Sequence, residues 1–271
     1  MNWQGIRALT RRDLMLVRRS RALMVPLVLV PVMLLVLLPL VLSLVPALIG
    51  DAGAGQRLEE VLAVLPPAVQ DRLGHGPPAE RWTRVVHLQL LPSLFVIVPF
   101  MVANVIAADS FAGERERKTL EALLFTPLTD AELLIGKLLA AWLPAMIVNA
   151  IGFVVTSAVV ASATFAMFGS PLLPDAAWML LASWVAPAFT AVGLAAMVLL
   201  SLHVRGTQEV MQLGGLLVLP AIALLVGQIR GALLLGPGVL YLVGIALWAV
   251  AAGLVVIGIH RFRRTRLVTL L

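Results

Sequence analysis

The residues of this chain that are able to do chemistry are few, and most lie in one place. Residues 109–137 read DSFAGERERKTLEALLFTPLTDAELLIGK, a mixed-sign cluster between two long apolar stretches. Little else supports covalent or metal chemistry. The chain has no cysteine, which excludes thiolate catalysis, disulfides and cysteine-based metal sites. None of the four histidines (His75, His87, His203 and His260) pairs with another at metal-ligand spacing, and no HExxH occurs. Ser110, Ser201 and the other serines lack an evident base. No residue is therefore assigned as catalytic and none as a metal ligand. A Gly-x-x-x-x-Gly-Lys-Ser/Thr phosphate loop is also missing: Gly136-Lys137 has no glycine at the required distance before it and is followed by Leu138. The chain itself is expected to hold no cofactor and to hydrolyse no ATP. What the cluster offers is a surface for another protein.

The elements that must position this cluster are dictated by the rest of the composition. Of 271 residues, 61% are hydrophobic and 13% charged, against about 45–50% and about 25% in an ordinary soluble domain. Six intervals carry no Asp, Glu, Lys or Arg: Ala22–Ile49, Leu88–Ala108, Leu138–Pro174, Ala176–Leu202, Val210–Ile229 and Gly231–Ile259. A helix needs about 20 apolar residues to cross a bilayer, and only a helix satisfies every backbone N–H within its own segment. The alternation of a membrane barrel is absent. The expected fold is all-α, with six transmembrane helices at about 25–49, 88–108, 138–164, 177–202, 212–229 and 239–259. The third interval is longer than one span and is expected to emerge near Gly169. The fifth carries Gly214, Gly215 and Pro220 and is expected to be bent or barely spanning. Residues 230–238 either form a wet loop or dip back into the membrane.

Fifteen of the twenty basic residues fall on the side that holds both termini and residues 109–137. The excess of Lys and Arg places that side in the cytoplasm of a multi-pass protein of the cell membrane. The formal net charge of +6 is read as these flanks, not as a nucleic-acid surface. The run from Ala22 to Ile49 is too long for a signal-peptide core of about 7–15 residues, so an uncleaved first span is expected.

Residues 1–21 form a separate cytoplasmic element ahead of the membrane domain, 22–271. On a helical wheel Trp3, Ile6, Leu9, Leu14, Leu16 and Val17 share one side, and Arg7, Arg11 and Arg18 stack on another. This suits an amphipathic helix lying on anionic membrane lipid. Asp13 falls inside the apolar sector, where it meets a cation or a helix end, or else reaches water. On the other side of the membrane, residues 50–87 are expected to form two short helices, Arg57–Leu65 and Ala68–Leu73, separated by Pro66-Pro67.

Within the cluster, Glu114 and Lys118 stand four apart in the favourable order, and Arg117 and Glu121 repeat the spacing in reverse. Leu120, Leu123 and Leu124 form an apolar stripe beside them. Pro127 ends this helix. Thr129-Asp130-Ala131-Glu132 then fits a capping box, with Thr129 as N-cap and Glu132 at the third position. A new helix is expected to run from there through Gly136-Lys137 into the third span. Residues 109–137 thus have the build of a mechanical lever, the alternative being a solvated loop with incidental charge pairs.

The run Gly113-Glu114-Arg115-Glu116-Arg117-Lys118-Thr119-Leu120-Glu121-Ala122-Leu123-Leu124, then Thr126-Pro127-Leu128, Glu132-Leu133-Leu134 and Gly136-Lys137, resembles the signature of ABC-2 type transporter permeases. It is most similar to the NatB-like sodium and drug-efflux branch. Arg18-Arg19-Ser20-Arg21-Ala22-Leu23 followed by Pro26 resembles that family's entry into its first span. The resemblance implies a six-span half-transporter with an N-terminal elbow helix and a coupling helix after span two. It implies pairing with a second permease copy, as a homodimer or related heterodimer, and a separate ABC ATPase that binds ATP-Mg. The coupling role carries over onto Gly113, Glu114, Arg115, Glu116, Arg117, Lys118, Thr119, Leu120, Glu121, Leu123, Leu124, Phe125 and Pro127. Many NatB-like members have a large outer domain between spans one and two, whereas this chain has only residues 50–87.

An alternative class is an ion-coupled secondary transporter or channel. Such carriers place ionisable residues in the membrane, and all six intervals lack them, although broken helices also bind ions through carbonyls. Gln89, Asn104, Asn149, Thr156 and Gln212 are the notable polar groups of the spans. They are candidate pathway residues or interhelical hydrogen-bonding groups.

Overall fold

The computed structural model describes residues 2–62, 70, 77–110, 128–201, 212, 214–220, 222–223 and 236–261. Every regular element among them is helical: α1 (Trp3–Arg19), α2 (Arg21–Val32), α3 (Leu38–Leu62), α4 (Pro78–Val85), α5 (Leu91–Ala108), α6 (Asp130–Phe168), α7 (Ala176–Leu180), α8 (Ala186–Ser201) and α9 (Pro237–Arg261). Three five-residue π-helical stretches, Met33–Leu37, Val86–Leu90 and Leu181–Val185, join α2 to α3, α4 to α5 and α7 to α8. Five helical stretches among the described residues are long and apolar enough to cross a membrane: Leu23–Val45, Pro78–Ala108, Asp130–Phe168, Ala176–Leu200 and Pro237–Arg261. Of the interval 212–229, residues 213, 221 and 224–229 lie outside the described residues. The part that is described has tight backbone bonds from Leu217 to Gly214 and from Val218 to Gly215, both 3.1 Å, just ahead of Pro220.

Local chemistry sets where the helices begin and end. Ser20 is extended and separates α1 from α2. Asp175 caps α7 by accepting from the Trp178 N–H at 2.8 Å. Helix α6 ends at Gly169, whose φ of 71° lies in the left-handed region that a side chain disfavours. Its 39 residues rise about 58 Å, nearly twice the hydrocarbon thickness, so one rod extends from beyond the bilayer into and across it.

Helix α5 is the centre of the bundle. It packs against α6 and α8, and α8 packs against α9. Two apolar cores result. One joins Leu9, Val17, Leu27, Val102, Ile106, Leu133, Leu134, Leu194 and Met197. The other joins Leu35, Phe95, Phe100, Val160, Trp178, Val185, Phe189 and Leu240. The first lies at the end where α1, the close of α5 and the start of α6 gather. The close of α9 reaches the same end, with Ile259 packed on this core.

Each π stretch carries a polar contact between helices. Thr156 donates to the Leu35 carbonyl. Asn149 Nδ2 donates to the Ala182 carbonyl at 2.7 Å. His87 donates from Nδ1 to the Thr83 carbonyl at 2.6 Å, and its Nε2 meets Ser43 Oγ at 2.8 Å. A π turn departs from the i→i−4 ladder and leaves carbonyl groups open to a partner on another helix. In an apolar bundle with no water to satisfy them, such groups need that partner.

One expectation is corrected. It concerns residues 50–62, which are not a separate helix on the membrane surface. Helix α3 continues through them from Leu38 to Leu62 without a break, because leaving the bilayer removes no backbone hydrogen bond from a helix. Likewise α4 begins at Pro78 and continues into span two; of Ala68–Leu73 only Gln70 is described. Helix α1 buries Ile6, Leu9, Thr10, Asp13 and Val17 against the bundle, chiefly α6, while Trp3 and Leu16 of its apolar sector are exposed.

The π contacts make a prediction. Thr156→Val keeps the side-chain shape but removes the donor to Leu35. It should cost about 1 kcal/mol and lower the thermal midpoint in detergent by about 2–4 °C. Ser162→Ala, at an exposed bond within its own helix, should leave the midpoint unchanged.

Candidate functional site

The site is where α1, the close of α5 and the first two turns of α6 meet. Residues 111–127, which hold most of the charged cluster, lie outside the described residues. Gly113 to Leu124, Phe125 and Pro127 are all among them. Both flanks are described, and they share one seat on α6.

The later flank is held by a capping box. Thr129 Oγ1 accepts from the Glu132 N–H at 3.3 Å, and Glu132 Oε2 accepts from the Thr129 N–H at 2.9 Å. The other carboxylate oxygen, Glu132 Oε1, accepts from the backbone N–H of Asn2. Asn2 in turn caps α1 by accepting from the Gly5 N–H at 3.0 Å. One carboxylate therefore joins the starts of two helices. Leu128 packs onto α1 at Gly5 so closely that a β-carbon there would overlap it. Glu132 lies on the water-side extension of α6, ahead of the apolar run that begins at Leu138. The hydrogen bond from Asn2, then that from Thr129, hold its carboxyl below the usual carboxylate range. A depressed carboxylate stabilises the fold above its unfolded pKa, and that contribution is lost as pH falls through the folded value.

One turn along, α1 crosses α6 at Gly136. A β-carbon at Gly136 would lie 2.8 Å from Leu9 Cδ2. The Thr10 hydroxyl lies 3.1 Å from the Gly136 carbonyl and 2.9 Å from the Ile6 carbonyl.

The earlier flank is held by Lys137. Its side chain is fully buried, and Nζ donates to the Ser110 carbonyl at 2.7 Å and to Ser110 Oγ at 3.1 Å. Asp13 Oδ2, on a side chain only 5% exposed, lies 3.8 Å from Nζ and accepts from Ser110 Oγ at 3.4 Å. Arg12 Nη1 is 3.6 Å from the other Asp13 oxygen. Asp13 thus meets a cation on another helix. Breaking a buried pair by removing one partner costs about 3–5 kcal/mol, because the charge left behind is uncompensated.

Glu132 and Lys137 are five residues apart on one helix, about 7.5 Å along its axis. Residues 111–127 therefore leave and return to nearly the same point on α6, with α1 clamped across both anchors. The sequence marked Thr129, Glu132 and the anomaly of Asp13. It did not mark Lys137 or Ser110, and the signal that would have found them was a carboxylate in an apolar sector that needed a cation.

The candidate pathway residues lie elsewhere and are not brought together as one site. The Asn149 and Thr156 side chains make the interhelical bonds already described. Asn104 is buried on α5, and a β-carbon on Gly214 would overlap its amide. Gln212 is exposed, and Gln89 is placed only by its backbone, in the π stretch before α5.

Among the described residues every regular element is helical and five helices are long and apolar enough to cross a bilayer, which marks a multi-pass membrane protein. Comparison with known families agrees. The model of the family described as "ABC-2 family transporter protein" matches residues 7–239. The match covers most of the chain, from within α1 to the first turn of α9, and the chain belongs to this family. No curated protein matches it.

Gly136→Val should force Leu9 outward and cost about 1–3 kcal/mol by overpacking, read as faster amide exchange across Trp3–Arg19. Gly253→Val, where a β-carbon meets nothing within 4 Å, should leave that exchange unchanged. On acidification, exchange in the first turn of α1 should rise as Glu132 takes up its proton, and Glu132→Gln should remove that acid-dependent step.

Proposed function

We propose that this chain is the membrane-spanning subunit of an ATP-driven exporter of the ABC-2 type, working with a separate ABC ATPase that binds ATP-Mg. Two copies, or this chain and a related permease, form the pathway. The basic end of the bundle faces the cytoplasm, both termini included, and the protein sits in the cell (inner) membrane. The resemblance to the NatB-like efflux branch rests on the motif of residues 113–137. The short segment between the first two spans separates this chain from members with a large outer domain.

One observation supports the coupling role above the others: both flanks of residues 111–127 are fixed to the first two turns of α6. A segment tied at both flanks to one helix passes force from those flanks to that helix. In this reading Glu114, Glu116, Arg117 and Glu121 make polar contacts with the ATPase, and Leu120, Leu123, Leu124 and Phe125 pack against it. Gly113, Arg115, Lys118 and Thr119 complete the coupling helix. The Pro127 turn and the Thr129-capped helix pass the movement into the span. Alternating access needs contact free energies that differ between the two states, and ATP-driven closure of the ATPase supplies them here.

The test is the double variant Glu116→Lys/Arg117→Glu, purified with its cognate ABC ATPase. It should lose at least tenfold in ATPase recovery; recovery and ATP-driven conformational change equal to the parent would contradict the docking assignment. Pro127→Ala should retain ATPase recovery while weakening the ATP-driven change severalfold, and equal loss of both would contradict the lever.

A further inference from the structure

We infer that Lys137 is a positioning residue for the charged segment, fixing its start to α1 and α6 at once. This rests on the coupling role proposed above. The geometry carries it: one ammonium serves three elements. Ser110 is the last described residue before the segment, and Lys137 Nζ holds both its carbonyl, at 2.7 Å, and its hydroxyl, at 3.1 Å. Ser110 continues the helical path of α5, and Lys137, from α6, is the cation that meets its carbonyl and hydroxyl there. Asp13 of α1 faces the same nitrogen at 3.8 Å, so the charge is matched from the third element.

Apolar side chains in place of both Lys137 and Asp13 would leave no charge to desolvate, and replacing a buried pair in that way is often neutral or stabilising. What an apolar side chain cannot do is select one register. The Lys137 hydrogen bonds require the Ser110 carbonyl and hydroxyl at one position on α6, and Asp13 requires α1 at one position across it. Thr10 and Gly136 fix the same crossing one residue earlier. At its other flank the segment is already fixed by Thr129 and Glu132. With Lys137 in place neither flank slides on α6. Without it the earlier flank keeps only the 3.4 Å Ser110–Asp13 contact and the apolar packing of α5 on α6, neither of which fixes the Ser110 carbonyl, and part of the movement is lost there.

The natural chain has no cysteine, so a single reporter can be introduced. Phe165 is exposed near the far end of α6, about 42 Å along the helix from Lys137. The complex of Phe165→Cys with the cognate ABC ATPase, in nanodiscs, is reacted with a membrane-impermeant maleimide, with and without ATP plus vanadate. The parent should show an ATP-dependent change in labelling rate. Lys137→Met should reduce that change at least fivefold while ATPase recovery and ATP hydrolysis persist, and Lys137→Arg should retain most of it. A purely structural role would lower the amount of complex and leave the ATP-dependent change per complex intact.

A full ATP-dependent change in Lys137→Met overturns the inference. If Lys137→Met does not fold, Asp13→Asn, which leaves both Ser110 contacts, should still weaken the change, and an unaltered response overturns it. The two levels separate cleanly. A response absent from the parent, or surviving Glu116→Lys/Arg117→Glu, contradicts the coupling role itself. A response lost in that variant but intact in Lys137→Met contradicts only the assignment of Lys137.

Discussion

A buried ammonium needs oxygen around it, and the arrangement of one whole end of this molecule follows from meeting that need at Lys137. The Ser110 carbonyl and hydroxyl and the Asp13 carboxylate converge on it from two other elements. For Asp13 to arrive, α1 must lie across α6, and glycine at 136 lets Leu9 pack directly onto the α6 backbone there. For Ser110 to arrive, α5 must end level with the second turn of α6. The Leu9, Val17, Leu133 and Leu134 core then seals the pair from water. Apolar packing supplies most of the cohesion here, and the charges supply the register.

The rest of the bundle solves the opposite problem. With almost no charge to place, it has to satisfy backbone groups wherever the helices depart from ideal winding. At the three π stretches this falls to Thr156, Asn149 and the His87–Ser43 pair. Large rings fill the space between them: Phe95 packs edge-on to Phe153, and Phe100 to Phe189, at 5.5 Å in both cases. The long helix α6 connects the two regimes. Its first two turns belong to the polar seat and its remainder to the apolar bundle, so a displacement at Thr129 and one at Gly169 are movements of the same rod.

The parts of this architecture legible in sequence were those governed by local rules. Charge-free runs marked the spans, the Thr129–Glu132 spacing marked the start of α6, and Gly169 its end. Where the sequence misled, the cause was non-local. The periodicity of α1 showed that one face is apolar but not how that face divides; Ile6, Leu9 and Val17 are covered by protein, while Trp3 and Leu16 are exposed. Residues 50–62 were read as a new element because the composition changes at Gly50, yet a helix does not stop where a membrane does. Lys137 read as the tail of a charge run, since its partner Asp13 is far away in the chain. The family signature pointed to the same stretch, Gly113–Lys137, without saying what Gly136 and Lys137 are for; their roles became visible only once α1 was in place.

The central claim is that the segment between the second and third spans faces the cell interior and receives work from a separate ATPase. The most direct measurement is the reactivity of a single Arg117→Cys toward a membrane-impermeant maleimide in sealed vesicles of known orientation, with and without the cognate ABC ATPase. The account predicts reaction only in inside-out vesicles and protection when the ATPase is bound. Reaction from the outside of intact cells, or inside-out reactivity that the bound ATPase leaves unchanged, would contradict it.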